Sequence, residues 1–169
     1  MEKRKQYDNK IILSRTEEHE IPKGKLGLTI CEICRATYYK KSWRHNLGGY
    51  KNFREDLPVH FTVCPACRMI KNHQFEGRII IENIPVKILS DLNHLAETFC
   101  KRAYLRDSQH RLIGIKKTKA GLEITVTENQ LAVKLAKKIK DVFKKIAMKI
   151  SYSPKPSDVV YVKLTFLSS

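Results

Sequence analysis

Two Cys-x-x-Cys pairs, Cys31-Glu-Ile-Cys34 and Cys64-Pro-Ala-Cys67, stand twenty-nine residues apart and use four of the chain's five cysteines. Each such turn points two thiolates at one centre. Two turns together complete the closed tetrahedral sulfur set that structural zinc prefers. The pattern therefore predicts one structural Zn2+ held by Cys31, Cys34, Cys64 and Cys67. A redox dithiol would use a single pair beside a βαβ pattern, whereas the first pair here is followed by Arg, Tyr and Lys. Disulfides or an iron-sulfur cluster are the remaining uses of the motif. A catalytic zinc needs an open coordination position, which four cysteines do not leave. His45, His60 and His73 lie close in sequence and read as surface or RNA-facing residues, because four thiolates already satisfy a metal.

The charge is as one-sided as the cysteines are ordered. The 169 residues carry 33 Lys and Arg against 17 Asp and Glu, a net +16, and the pI is about 9.7. An excess of that size calls for an acidic partner, most often nucleic acid. Residues 78–169 hold 18 of the basic and 8 of the acidic side chains, so most of the field arises there. No apolar run approaches the ~20 residues of a membrane span, and Met1-Glu-Lys-Arg-Lys-Gln6 leads into no signal-peptide core. The expectation is a cytoplasmic protein. A reducing compartment suits the paired thiolates and the unpaired Cys100, which reads as a small core residue.

Organisation follows from these features. Residues 1–28 mix both charge signs with Pro22, Gly24 and Gly27, and read as a flexible basic arm. Residues 29–77 form a zinc ribbon of loops and short strands held by metal rather than by a core. Residues 78–169 form a basic α+β domain. Arg78–Asn83 is an apolar strand, and Pro85 can open a helix whose stripe is Ile88, Leu92, Leu95, Ala96, Phe99 and Ala103. Leu112–Lys117 and Leu122–Thr127 make a hairpin through Gly121. Thr127 and Gln130 have capping-box spacing, which predicts a second helix with Leu131, Leu135, Ile139, Val142, Phe143 and Ile146 on one arc. Its other arc carries Lys134, Lys137, Lys138, Lys140, Lys144 and Lys145. Ile146–Ser153 and Val159–Leu167 are two last strands. The simplest arrangement is a ferredoxin-like βαββαβ antiparallel sheet with an added C-terminal strand and both helices on one face.

The run Val63-Cys-Pro-Ala-Cys-Arg-Met-Ile-Lys71, followed by Gly77 and an apolar strand, resembles the second cysteine turn of the nonsense-mediated decay protein three family. Archaeal and eukaryotic members of that family bind the large ribosomal subunit. Small bacterial relatives are a better match, joining one such zinc ribbon to a domain with a segment like Leu122–Lys137. The resemblance covers about residues 29–167. It implies a zinc ribbon and an association with RNA, ribosomal RNA or the large ribosomal subunit, in translation. Members that act on the subunit carry further cysteine pairs and domains that this chain lacks, so subunit export is not carried over.

Candidate nucleic-acid contacts fall in two places. The first interleaves cations with rings after the first cysteine turn: Arg35, Tyr38, Tyr39, Lys40, Lys41, Trp43 and Arg44, continued by Tyr50 to Arg54, with Arg68 and Lys71 after the second turn. Cations hold phosphates while rings stack on unpaired bases, and Trp43 serves equally well as the ribbon's core. The second is the lysine arc of the second helix, read either as a solvated face or as a sequence-independent phosphate grip. The expectation is a non-enzymatic zinc-ribbon RNA-binding protein, with no small-molecule substrate. Three alternatives compete: a DNA-binding or transcription-associated regulator, which lacks a helix-turn-helix signature; an RNA-processing enzyme, which would need Asp56, His60 and His73 to converge; and a protein-docking module.

Overall fold

The described residues form two sheets and three helices, and in the C-terminal half the backbone follows the alternation and helical spacing of the sequence. The structure, a computed structural model, describes residues 27–48, 57–155 and 157–167. The arm expected at the N-terminus lies outside the described residues as far as residue 26, and Leu28 opens the first strand.

The N-terminal module contains β1 (Leu28–Cys31), β2 (Thr37–Tyr39), β3 (Ser42–Arg44) and β4 (Val59–Thr62), ordered β3-β2-β1-β4. β1 pairs antiparallel to β2 and parallel to β4, which brings Cys31 level with Thr62, two residues before Cys64. Helix α1 (Pro65–Lys71) follows, with Pro65 at its first position and Cys64 as its cap. A reading of loops and strands alone missed α1, because seven residues are too few to display a period. Proline's fixed φ and the cysteine cap start the helix. The module's buried cluster is Cys31, Ala36, Cys64, Ala66 and Cys67, with Trp43 and Val63 packed against it.

The C-terminal domain runs β5 (Gly77–Glu82), α2 (Leu89–Arg106), β6 (Leu112–Thr118), β7 (Gly121–Val126), α3 (Asn129–Phe143), β8 (Ile146–Tyr152) and β9 (Val160–Phe166). Pro85 opens a single 3-10 turn, Val86–Ile88, rather than α2 itself. One face of the sheet meets both helices: Ile79, Ile81, Leu122, Ile124, Val126, Val160, Val162 and Leu164 pack with Leu92, Ala96, Leu131, Leu135 and Ile139 in one core. Cys100 lies in this core, and burial pushes its thiol up to about 12, so it behaves as a small apolar residue.

The strand order is β6-β7-β5-β9-β8. The last strand therefore enters the interior beside β5, parallel to it, and displaces β8 to the edge. This departs from the all-antiparallel ferredoxin-like order. Composition explains it. β9 buries Val160, Val162, Leu164 and Phe166, whereas β8 buries only Ile146 and exposes Lys149, Ser151 and Tyr152. The more apolar strand takes the covered position, and the more exposed β8 makes the edge.

The second helix also differs in detail. α3 ends at Phe143, so Lys144 and Lys145 lie beyond it in left-handed conformations, φ 53° and 40°. Reversal into β8 needs positive φ there, and Ile146 belongs to that strand. Val142, expected on the apolar arc, is 47% exposed. Thr127 does not cap the helix; its buried hydroxyl donates to the Gln109 carbonyl at 2.6 Å and accepts from the Arg111 amide at 2.8 Å. The loop before β6 has claimed it.

Gly121 shows how closely β7 and β5 approach. It has φ +147°, and a β-carbon there would stand 2.0 Å from the Ile81 carbonyl oxygen. Gly121→Ala should destabilise the domain by about 2–3 kcal/mol, since backbone must move to admit the methyl group. Denaturant unfolding measures this, and a midpoint within error of the parent's would show that the hairpin relaxes freely.

Candidate functional site

Four sulfurs converge in the N-terminal module. The Sγ atoms of Cys31, Cys34, Cys64 and Cys67 all lie within 4.8 Å of one another, and no disulfide joins them. Cys34 and Cys64 are 3.7 Å apart. A regular tetrahedron with metal–sulfur bonds of about 2.3 Å has sulfur–sulfur edges of about 3.8 Å, so the group fits a single metal ion. Among the described residues it is the one His/Cys/Asp/Glu group close enough to hold one.

Local structure fixes each pair. Cys31 ends β1; its amide donates to the Ala36 carbonyl at 2.8 Å, and Arg35, at φ 63°, donates back to the Cys31 carbonyl at 3.0 Å. The second pair is the start of α1, where the Cys67 amide donates to Cys64 Sγ at 3.5 Å. The Cys64 amide in turn donates to Cys31 Sγ at 3.3 Å, tying one turn to the other.

Ionisation is uneven in this cage. Burial opposes a thiolate at Cys31, but amide hydrogen bonds from Cys34, Cys64 and Ile33 outweigh it and bring that thiol down to about 6. Burial, reinforced by charge at Cys34, pushes Cys64 up to about 11, and burial with charge at Cys64 drives Cys67 higher still. A divalent cation at the centre reverses that balance by replacing the protons.

The aromatic and basic residues around the cage take distinct places. Tyr38 and Trp43 face each other across β2 and β3, ring centroids 5.4 Å apart, and Trp43 also packs on the cysteine cluster. Lys40 and Lys41 form the hairpin tip between Tyr39 and Ser42, both at positive φ, 47° and 63°. Lys40 Nζ lies 5.6 Å from the Tyr39 ring centre. Arg35, Arg44, Arg68 and Lys71 are exposed, and Arg68 donates to the Val63 carbonyl at 3.2 Å. Residues 49–56, with Arg54 and Asp56, lie outside the described residues.

Lys134, Lys137, Lys138 and Lys140 are exposed on α3, and Lys144 and Lys145 extend the basic surface from the following turn. This surface lies on the helix side of the sheet. The opposite side carries Arg78, Lys116, Lys149 and Lys163, which sequence reading passed over. Alternation marks which residues point away from a core. It does not say whether a further layer covers them.

Sequence reasoning also missed the join between module and domain. Gln109 Oε1 accepts from the Ala66 amide at 3.1 Å. His45 Nε2 contacts the Tyr104 carbonyl oxygen, and its ring meets the Tyr104 ring edge-on at 4.5 Å. Arg111 covers Tyr104 at 4.4 Å. His45 thus belongs to the join, whereas His60 and His73 are exposed. Polar residues in loops give no sequence signal for such a contact.

Beside the join, His110 Nε2 lies 3.3 Å from Glu128 and 3.8 Å from Asp107. The hydrogen bond that the imidazolium donates to Glu128 raises its pKa above 6.5, while partial burial and Lys134 oppose it.

No protein-family model matches the chain, and no curated protein matches it.

Two outcomes are expected. Cys31→Ser, or a chelator, should abolish amide-exchange protection in β1 to β4 and α1 and leave β5 to β9 protected; loss of both together would mean that the two parts fold as one unit. The His110–Glu128 pair contributes stability that is complete below pH 6.5, the unfolded value, and is lost as pH rises through the raised folded value. Glu128→Gln should flatten that part of the stability profile, and an unchanged slope would assign it to another group.

Proposed function

We propose that this chain is a non-enzymatic RNA-binding protein that holds one structural Zn2+ and acts in the cytoplasm on ribosomal RNA or the large ribosomal subunit. The observation that carries the reading is the Lys40-Lys41 tip. A two-residue hairpin with positive φ at both centres suits Asn-Gly, and each non-glycine residue there costs about 1 kcal/mol. Two lysines instead occupy it, flanked by Tyr39 and by the Tyr38–Trp43 pair. Stability has been given up to project cations beside aromatic rings, a combination that grips phosphate and stacks on unpaired bases.

Other features point the same way. Four thiolates with tetrahedral spacing favour zinc over harder cations and leave no position for a catalytic water. The exposed lysines of α3 add a phosphate grip that needs no base sequence. No helix among the described residues is long and apolar enough to cross a membrane. The resemblance of Val63–Lys71 to the nonsense-mediated decay protein three family supports a ribosomal target over duplex DNA.

Replacing Lys40→Asn together with Lys41→Gly separates the two roles of the tip. The double variant should gain about 1 kcal/mol of stability through relief of strain, while its RNA affinity falls and its salt slope drops by about 1.4. Fluorescence anisotropy across a salt series reads the second effect, and undiminished affinity would remove the tip from the interface. The ribosomal target is tested by sedimenting the zinc-loaded chain with separated subunits, with free RNA and duplex DNA as competitors. Retention on one subunit at physiological salt is expected; equal binding to every polyanion would refute a ribosomal site.

A further inference from the structure

The face of the five-stranded sheet that no other described residue covers has an ordered chemistry. Across its middle row, in strand order, stand Lys116, Glu123, Ile80, Lys163 and Lys149. Beside that row, nearer the metal module's end, stand Gly114, Thr125, Arg78, Tyr161 and Ser151. Five strands at about 4.8 Å spacing make a platform about 19 Å wide. Both helices bury their apolar faces on the other side.

The two carboxylates on this face are held within it. Arg78 Nη2 donates to Glu123 at 2.6 Å, and Lys163 Nζ lies 2.9 Å from Glu82. Four cations against two paired carboxylates leave the face positive. The lysines at the margins, Lys116 on β6 and Lys149 on β8, lie on the two edge strands, and the inner strands carry Ile80 and the half-exposed Tyr161 between the two ion pairs.

We infer that this face is a platform for single-stranded RNA, with bases laid over Tyr161 and Ile80 and phosphates running to Lys116 and Lys149. Charge complementarity selects a polyanion, and the Tyr161 ring with Ile80, set between cationic margins and among charges already paired, selects one with unpaired bases. A duplex hides its bases and presents phosphate all round, so it would leave the centre unused. Thr125, Thr165 and Ser151 add hydroxyls for base edges and 2′-hydroxyls. The inference rests on the RNA-binding reading and adds a second surface, on the opposite side of the sheet from the α3 lysines.

The test uses the full zinc-loaded chain, a fluorescein-labelled single-stranded oligoribonucleotide and an RNA duplex of the same length. Tyr161→Ser should weaken single-strand binding about tenfold, and Tyr161→Phe should restore it, because stacking needs the ring and not the hydroxyl. Lys116→Gln with Lys149→Gln should reduce the salt slope by about 1.4. If the parent binds single strands and all these variants bind equally well, the platform is wrong while RNA binding through the tip or α3 stands. If the parent binds no RNA, both readings fail. A parent that prefers duplex also overturns the platform. Should Tyr161→Ser not fold, as judged by its unfolding transition, the lysine pair on the edge strands decides alone.

Discussion

The N-terminal module depends on four sulfur atoms meeting at one point. Its buried cluster has five residues, of which Cys31, Cys64 and Cys67 are three. So little apolar surface cannot offset the entropy of ordering a segment of this length, and a metal cross-link between turns distant in sequence can. Everything the module presents follows from that convergence. β1 and β2 meet at the first turn, α1 begins at the second, and Ala66, between Cys64 and Cys67, donates the hydrogen bond that Gln109 accepts. The orientation of the Lys40-Lys41 tip relative to the larger domain thus traces back to sulfur geometry.

The larger domain needs no such aid. Eighteen buried residues, drawn from both long helices and all strands except β6, make a continuous interior. That interior separates two basic surfaces, one on α3 and one on the opposite side of the sheet. Their charges are also handled differently. On α3 four lysines stand exposed, whereas on the sheet Arg78 and Lys163 are paired with carboxylates and held in place. A solvated lysine face offers charge without shape, whereas the paired sheet face holds its charges in fixed places.

Much of the interior was legible because it is periodic. The stripe of Leu131, Leu135 and Ile139 and the alternation of Leu122, Ile124 and Val126 put these residues where burial finds them. Errors arose where one segment's needs were decided by another. Thr127 has the spacing of a helix cap, but the loop at Gln109 needs a buried partner and takes its hydroxyl. Lys144 and Lys145 continue a helical charge pattern, yet the chain must reverse into β8, and α3 stops at Phe143. Helix α1 was hidden because its start is specified by Cys64 and Pro65, residues already read as a metal turn.

The sequence by itself determined the four converging cysteines, the α+β class, the positions of the two long helices and the hairpin, and the positive field. These are properties of spacing, period and composition, which each segment carries alone. Only the tertiary structure decided that β9 lies inside β8 and that His45 and Gln109 join the two parts. Those outcomes rest on competition between segments far apart in the chain for the same apolar surface and the same hydrogen-bonding groups, and no local pattern records which segment wins.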